Sequence, residues 1–411
     1  MSASPDLSVA ELSRVIQRIE EKGRLRPAAS RRASLEDALG GDVEETDSGR
    51  VFVVRQRFDA GHRHGAGPLG PPAALVPESM RLLTRTGTSP PAGARLLYLD
   101  TETTGLAGGT GTYVFLVGVG FFDGDTFEVR QYFMRDLDEE PALLAAVGAL
   151  LVQFDGVVTY NGGGFDLPLL ETRFVLARRR FPADVFHLDL LGSARRLWSA
   201  RLADCRLGTL ERHVLGFMRD DDLPGALIPS AYFDYLRRKQ PGVLPRIFEH
   251  NRHDILSLAA LTGWMTGAVA RAPIPDLHPE ELVGLGRIWE VTDVDRGLAC
   301  YRMALEQGLA SPGRERVLLR LAAVEKRRAR WDEARALWEA AISGARSFDP
   351  RPWEEIAKVH EHRRRDLPAA RALVEAALTR GRQHRAPEHI LASFTHRLDR
   401  LTRRLPPQPN P

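Results

Sequence analysis

The stretch Leu96-Leu-Tyr-Leu-Asp100-Thr-Glu102-Thr-Thr-Gly105 begins as an apolar run and ends in two carboxylates. The apolar run predicts a buried β-strand. Because side chains alternate across a strand, Asp100 and Glu102 project from the same face. Two neighbouring buried acids repel each other and lose their hydration. A divalent cation between them would remove both penalties, and an ordinary solvated turn is the alternative that this stretch leaves open.

The order of elements around this strand predicts the fold. Three strands with short turns, over residues 95–102, 113–122 and 126–134, favour an antiparallel meander. They are followed by a predicted helix (139–154), strand (156–160), helix (165–180) and strand (185–190). This order is typical of an α/β ribonuclease-H-like domain, with a mixed five-stranded sheet and flanking helices, which we place at residues 95–272.

Two further stretches carry acids at positions where a site could form. In Tyr160-Asn161-Gly-Gly-Gly-Phe165-Asp166, a strand gives way to a helix, and Asp166 lies in its first turn. Asp166 could instead only cap that helix and complement its dipole. In Glu249-His250-Asn-Arg-His253-Asp254, inside a predicted helix, His250 and Asp254 are four residues apart and share one face. A solvated polar turn is the alternative for this segment.

Together the three stretches resemble the signature of the DEDD 3′–5′ exonuclease superfamily, which shares the ribonuclease-H-like fold. The middle motif is similar to that of the proofreading exonuclease domain of family B DNA polymerases, and the chain as a whole resembles the YprB-like group of predicted exonucleases. The resemblance implies that two Mg²⁺ or Mn²⁺ ions are held by four acids, namely Asp100, Glu102, Asp166 and Asp254. Hard oxygen ligands suit these ions.

The last motif departs from the superfamily, which has Tyr four residues, or His five residues, before the final Asp. Here His250 has the tyrosine spacing and Glu249 the histidine position. We expect His250 to act as general base, with His253 as the alternative. The resemblance also implies that the substrate is contacted by Thr103, Asn161 and Phe165. For Asp189 we weigh a substrate or metal contact against a plain strand-end acid, and favour the latter.

Residues 1–94 are predicted to be an extension of the nuclease domain. It has a helix over residues 7–21, a partly disordered segment, a strand over residues 50–58 and a Pro/Gly-rich tether over residues 65–94. For His62 and His64, we favour an ordinary loop over a metal site.

Residues 279–403 are predicted to be an all-α domain of tetratricopeptide-like helical repeats. An aromatic residue or Val, followed three residues later by Ala, recurs at intervals of 37 and 36 residues, starting at Tyr301, Trp338 and Val374. Residues 279–411 carry 25 Lys and Arg against 19 Asp and Glu. These repeats could hold a nucleic-acid backbone or a protein partner. Residues 404–411 are predicted to be a disordered tail.

The composition is that of a globular protein, with 43% hydrophobic and 27% charged residues and a net charge of +3. No apolar run reaches the ~18–20 residues that span a membrane. Two distant cysteines and the lack of a signal-peptide pattern lead us to expect a cytoplasmic protein. The leading hypothesis is a metal-dependent 3′–5′ exonuclease acting on single-stranded DNA or RNA 3′ ends. The alternatives are a catalytically weak nucleic-acid-binding scaffold that recruits a protein through its repeats, and an endonuclease.

Overall fold

The computed structural model describes residues 34–59, 61–69, 76–84, 86–105, 109–182 and 185–405. The helix predicted over residues 7–21 and most of the predicted tail lie outside these residues. The described strands are β1 (Asp42–Thr46), β2 (Gly49–Asp59), β3 (Arg63–His64), β4 (Gly67–Pro68), β5 (Leu96–Thr103), β6 (Val114–Asp123), β7 (Thr126–Phe133), β8 (Gly156–Thr159) and β9 (Phe186–Asp189).

The main sheet has the strand order β1-β2-β7-β6-β5-β8-β9. Strands β5, β6 and β7 form the predicted antiparallel meander, and β8 and β9 continue the sheet parallel to β5. The mixed α/β fold is therefore confirmed, but the predicted count of five strands is two short. The strand predicted over residues 50–58 pairs with β7 along its length, and β1 folds back on it as the edge strand.

The described helices of the first part are α1 (Leu35–Leu39), α2 (Pro77–Leu83), α3 (Glu140–Leu151), α4 (Asp166–Leu176), α5 (Leu190–Trp198), α6 (Leu207–Leu210), α7 (Ile228–Arg238) and α8 (Leu244–Arg271). Those of the second part are α9 (Pro279–Trp289), α10 (Val294–Glu306), α11 (Gly313–Arg327), α12 (Trp331–Gly344), α13 (Pro350–Lys358), α14 (Leu367–Gln383) and α15 (Glu388–Arg404).

Strand β5 supplies both cores of the sheet domain. Leu97 and Leu99 pack with α3 and α4 on one face. Leu96 and Tyr98 pack on the other face with α5 and the greater part of α8. Because strand side chains alternate, Asp100 and Glu102 continue the face that α8 covers. This is why the two acids of β5 meet the side chains of α8.

Two segments of the predicted extension are more ordered than the sequence suggested. Residues 35–46, within the segment predicted to be partly disordered, form α1 and β1. The predicted Pro/Gly-rich tether contains α2, whose Met80, Leu82 and Leu83 are buried in the core beside α8. Composition misled the prediction here, because these apolar side chains find a hydrophobic surface that only the folded sheet domain provides.

Each helix from α9 to α14 packs against the next helix in the chain, which confirms the all-helical second part. The repeated positions Tyr301, Trp338 and Val374 are all buried. The first helices are joined to the sheet domain by polar contacts, in which Trp198 Nε1 donates to Glu281 Oε1 (2.9 Å) and Trp289 Nε1 donates to the Val269 carbonyl (3.0 Å). Within the described residues, no helix combines the length and apolarity that crossing a bilayer requires.

Candidate active site

The end of β5 and the first half of α8 bring together Glu102, His250 and Asp254. One ligand atom from each of these side chains lies within 4.8 Å of the others. In the part of the chain that the structure describes, this is the one group of three or more acid, His or Cys side chains with such spacing. It joins the first and last of the three predicted motifs, which are about 150 residues apart in the sequence.

Asp100 lies beside this group, and its carboxylate is held from α8. Asn251 Nδ2 donates to Asp100 Oδ2 at 2.9 Å. Burial raises the pKa of Asp100 well above its usual value, and the nearby charges of Asp254, Asp166 and Glu102 raise it further. The other three predicted acids are therefore close enough to Asp100 to act on its carboxyl group.

Asp166 is the first residue of α4 and is buried. The Thr101 hydroxyl donates to Asp166 Oδ1 at 2.5 Å. Burial raises the pKa of Asp166 to about 6, against the lowering effect of this hydrogen bond. Burial also raises the pKa of Glu102 to about 8, although the positive charge of His250 opposes the rise. Carboxyl groups with such raised pKa values are typical of functional sites.

His250 is oriented by Asp222, with His250 Nδ1 and Asp222 Oδ1 2.8 Å apart, while Nε2 lies 3.5 Å from Asp254 Oδ2. Burial alone would lower the pKa of His250, but the hydrogen bond to Asp222 and the charges of Asp254 and Glu102 raise it to about 9. The predicted alternative, His253, packs its ring against Phe217 with a centroid distance of 5.1 Å. Burial and the positive charge of Arg219 lower the pKa of His253 to about 4.

Arg219 is a residue of this site that the sequence analysis missed. Its guanidinium pairs with Asp254 and makes a bidentate contact with the buried Glu211, at 2.8 Å from Nε and 2.5 Å from Nη2. Glu211 also accepts from Ser257 at 2.5 Å, and Ser257 lies 2.7 Å from His64 Nε2. His64 is thus a buried structural residue, and a polar chain ties the β3–β4 hairpin to Asp254.

The glycine-rich turn after β8 is held by Asp189. Its carboxylate accepts from the backbone N–H of Asn161 (2.8 Å), Gly163 (3.2 Å) and Leu191 (3.0 Å). Asp189 therefore has the structural role of a strand-end acid, which is the role we favoured. Asn161 itself adopts a left-handed backbone conformation with φ 65°.

Two of the predicted substrate contacts are partly engaged within the protein. Thr103 is buried, and its hydroxyl donates to the Gly105 carbonyl at 2.8 Å. Phe165 is half-buried and packs against the core on the α3 side of the sheet. The roles of Thr103, Asn161 and Phe165 towards a substrate remain predictions.

A cavity of about 420 Å³ opens beside the acids. It is lined by Asp100, His250 and Asp254, and also by Tyr160, Leu207 and the largely exposed Met218. Arg212 and Arg219 also line it. The cavity thus combines acids, arginines and an apolar surface, which are the kinds of groups that contact metals, phosphates and bases respectively.

The mixed sheet and its flanking helices are those of a ribonuclease H superfamily domain, and residues 97–266 match the RNase_H superfamily. The chain is also 31% identical over 339 residues to the uncharacterized protein YprB of Bacillus subtilis (strain 168), covering 80% of each protein. The chain belongs to the family of YprB. A family B DNA polymerase of the archaeon Pyrobaculum calidifontis is 16% identical over 62% of this chain, with a TM-score of 0.37. The matched region is 34% of that polymerase.

Proposed function

We propose that this protein is a metal-dependent 3′–5′ exonuclease that hydrolyses phosphodiester bonds at single-stranded DNA or RNA 3′ ends. Membership of the ribonuclease H superfamily supports a nuclease. The observation that carries the finer proposal is the meeting of Asp100, Glu102, Asp166 and Asp254 around one buried position beside His250. These acids come from the three motifs that together resemble the DEDD signature.

The donor set fits a hard divalent cation. Glu102 and Asp254 offer ligand atoms within 4.8 Å of each other, and Asp100 and Asp166 add two carboxylates beside them. Oxygen-rich sites of this kind suit Mg²⁺ or Mn²⁺ better than zinc. When bound, two such ions would supply activation of the attacking water and stabilisation of the leaving oxygen.

The chain's own residues provide the rest of the site. Asp222 holds the His250 Nδ1–H, so that Nε2 faces Asp254. With the charge of the acids balanced by bound cations, the raised pKa of His250 would fall, and Nε2 could accept a proton from the attacking water. Arg212 and Arg219 line the cavity where a phosphate would approach the acids. Tyr160, Leu207 and Met218 provide an apolar wall for a base. The helices of the second part, which we propose to be tetratricopeptide-like, would bind a protein partner or the strand behind the 3′ end.

Labelled single strands test the proposal. With Mn²⁺, wild-type protein should release 5′-mononucleotides at once from 3′-labelled DNA or RNA and shorten a 5′-labelled strand stepwise. Asp100→Ala should lower this rate by about 10³-fold or more. The exposed turn residue Asp125 provides the matched control, and Asp125→Asn should keep the wild-type rate.

Other outcomes would contradict the proposal in distinct ways. Cleavage of a circular single strand would identify an endonuclease. Binding of a strand without release of nucleotides by the wild-type protein would favour the scaffold, and equal rates for wild type and Asp100→Ala would remove the acids from the reaction.

A further inference from the structure

Asn251 lies on α8 between His250 and Asp254, which are two residues of the site. Its own side chain points into the sheet. It is fully buried, with 0% exposure. Its carboxamide bridges two strands, because Nδ2 donates to Asp100 Oδ2 at 2.9 Å on β5 and Oδ1 accepts from Gln131 Nε2 at 2.9 Å on β7.

The direction of these hydrogen bonds is fixed by a backbone group. Gln131 Nε2 also donates to the Phe248 carbonyl at 2.8 Å, and a carbonyl can only accept. Gln131 therefore donates from its NH₂ group, and Asn251 accepts this hydrogen bond through Oδ1. The NH₂ group of Asn251 is left to face Asp100, and it is a donor that the ionised carboxylate accepts.

Strand β6, which lies between Asp100 on β5 and Gln131 on β7, leaves space for the Asn251 carboxamide. Asp100, Gly118 and Gln131 are aligned cross-strand neighbours on β5, β6 and β7. A Cβ atom at Gly118 would lie 2.0 Å from Asn251 Oδ1, so any other residue there would displace the carboxamide. Gly118, in the middle of these three residues, has no side chain, and the Asn251 carboxamide fills the space that is left.

We propose that Asn251 is a positioning residue for the metal site, which holds one oxygen of Asp100 so that the ionised carboxylate faces Glu102 and Asp254. This inference rests on the metal-dependent nuclease proposed above. Groups that orient a metal ligand commonly change metal affinity by 10- to 100-fold when they are removed. Asn251 supplies such a group from the same helix that carries Asp254.

Calorimetric titration of the metal-free protein with Mn²⁺ tests this role without relying on turnover. Asn251→Ala should raise the Kd for Mn²⁺ by about 10- to 100-fold. Thr266→Val is the matched control, because Thr266 is also fully buried on α8, and its hydroxyl donates to carbonyls of its own helix. It should leave the Kd unchanged. Excess Mn²⁺ should restore much of the nuclease rate of Asn251→Ala and none of that of Asp100→Ala.

A second variant and a measurement on unaltered protein cover the case in which Asn251→Ala does not fold. Asn251→Ser keeps a small polar side chain but cannot reach both partners, and should show the same weakening. The chain has three asparagines, at positions 161, 251 and 410. Selective ¹⁵N-asparagine labelling should therefore show a shift of the Asn251 side-chain amide on adding Mg²⁺.

The outcomes separate this inference from the proposed function. A folded Asn251 variant with the wild-type Kd, or an Asn251 amide signal that Mg²⁺ does not move, would overturn the positioning role while wild-type nuclease activity still stood. Wild-type protein that binds Mn²⁺ but degrades no nucleic acid would overturn the nuclease and leave the positioning role. Wild-type protein that binds no Mn²⁺ would overturn both.

Discussion

The buried acids of the helical repeats differ from the site acids on β5 and α4 in how their charge is balanced. Glu361 accepts from Arg397 (2.7 Å) and Arg400 (2.5 Å), and Glu325 from Arg302 (2.9 Å) and Arg330 (3.2 Å). In contrast, the three acids Asp100, Glu102 and Asp166 have no ion pair among the described residues. Asp100 and Asp166 have only neutral donors, Asn251 and Thr101.

This contrast distinguishes structural acids from functional ones within a single chain. Burying a carboxylate is costly unless a cation or several donors compensate it. The repeats meet this requirement with arginines. The end of β5 instead places acids next to one another, which destabilises the metal-free fold and is typical of functional sites. Elsewhere in the sheet, the buried Glu128 is paired with Arg57 and Arg130, as the acids of the repeats are with their arginines. The charge surroundings of each acid therefore support a metal site in the sheet and a packing role in the repeats.

The sharpest test of this contrast is Asp166→Asn, because Asp166 stands slightly apart from the Glu102, His250 and Asp254 group. We expect nuclease activity to fall by about 10²- to 10³-fold, since an amide cannot replace a charged ligand. Metal-free stability should not fall, because the substitution removes one of several like charges. Kinetics with Mn²⁺ and thermal unfolding in EDTA would measure the two effects, and a marked loss of stability would instead assign Asp166 to helix capping.

Arg219 is the exception at the site, because it is a cation placed among the acids. Arg219→Met should lower the free energy of unfolding by about 3 kcal/mol, since it leaves Glu211 buried without its partner. The control is Arg237→Met, whose pair with Asp234 is largely exposed and should cost less than about 1 kcal/mol. Urea unfolding of both variants would measure this difference. Equal losses would show that the Arg219 cluster is no more stabilising than a surface pair.

The acids and Arg219 also show how far sequence reasoning reaches. The acidic motifs were predictable because each is tied to a regular element, at a strand end, a helix start and one helix face. Arg219 and Asp222 lie in an irregular segment between a π-helical turn and α7, where no periodicity indicates which way a side chain points. Their position becomes clear only when that segment folds against α8.

Asn251 was missed for a different reason, since uncharged amides are common in helices and carry no signature. A signal was nevertheless present in β6, where Gly118 and Gly120 interrupt an apolar strand. Glycine inside a strand marks a close approach by another element. Here α8 is that element, with Asn251 over Gly118 and Ile255 over Gly120. The two glycines predict a close approach, but the sequence does not specify which helix makes it.

The crowding of acids also predicts an unusual pH dependence for the metal-free protein. Glu102, with its pKa raised from 4.5 to about 8, keeps a proton in the folded state that the unfolded chain releases. The contribution of Glu102 to the free energy of unfolding therefore falls as the pH rises from about 4.5 to about 8. Retaining one proton over the two pH units from 5 to 7 amounts to about 3 kcal/mol. The raised pKa of His250, about 9 against 6.5, gives the same sign at higher pH.

Comparison with Glu102→Gln isolates this effect from other titrating groups. In EDTA, the variant should match wild type near pH 5 and be more stable than wild type near pH 7. Unfolding of both proteins at the two pH values would measure the difference. Mn²⁺ should stabilise wild type most at the higher pH, because its ligands must lose their protons to bind. A constant difference between the two proteins would show that Glu102 titrates normally.

Glu361→Gln examines the same contrast from the side of the repeats and has the smallest expected effect. The amide NH₂ of Gln would face a guanidinium, so one charge-assisted hydrogen bond is lost, at a cost of about 2 kcal/mol. Because Arg397 and Arg400 lie on α15, we expect faster hydrogen exchange in α15 and unchanged exchange in β5 to β9. Glu375→Gln, which affects an exposed pair with Arg371, should leave hydrogen exchange unchanged in α15 and in β5 to β9.

Nuclease activity of Glu361→Gln on a short strand should stay at the wild-type level, since a paired acid contributes packing and no ligand. If activity fell with α15 loosened, the repeats would have to take part in holding the substrate, and arginine pairing would no longer distinguish the structural acids from the functional ones.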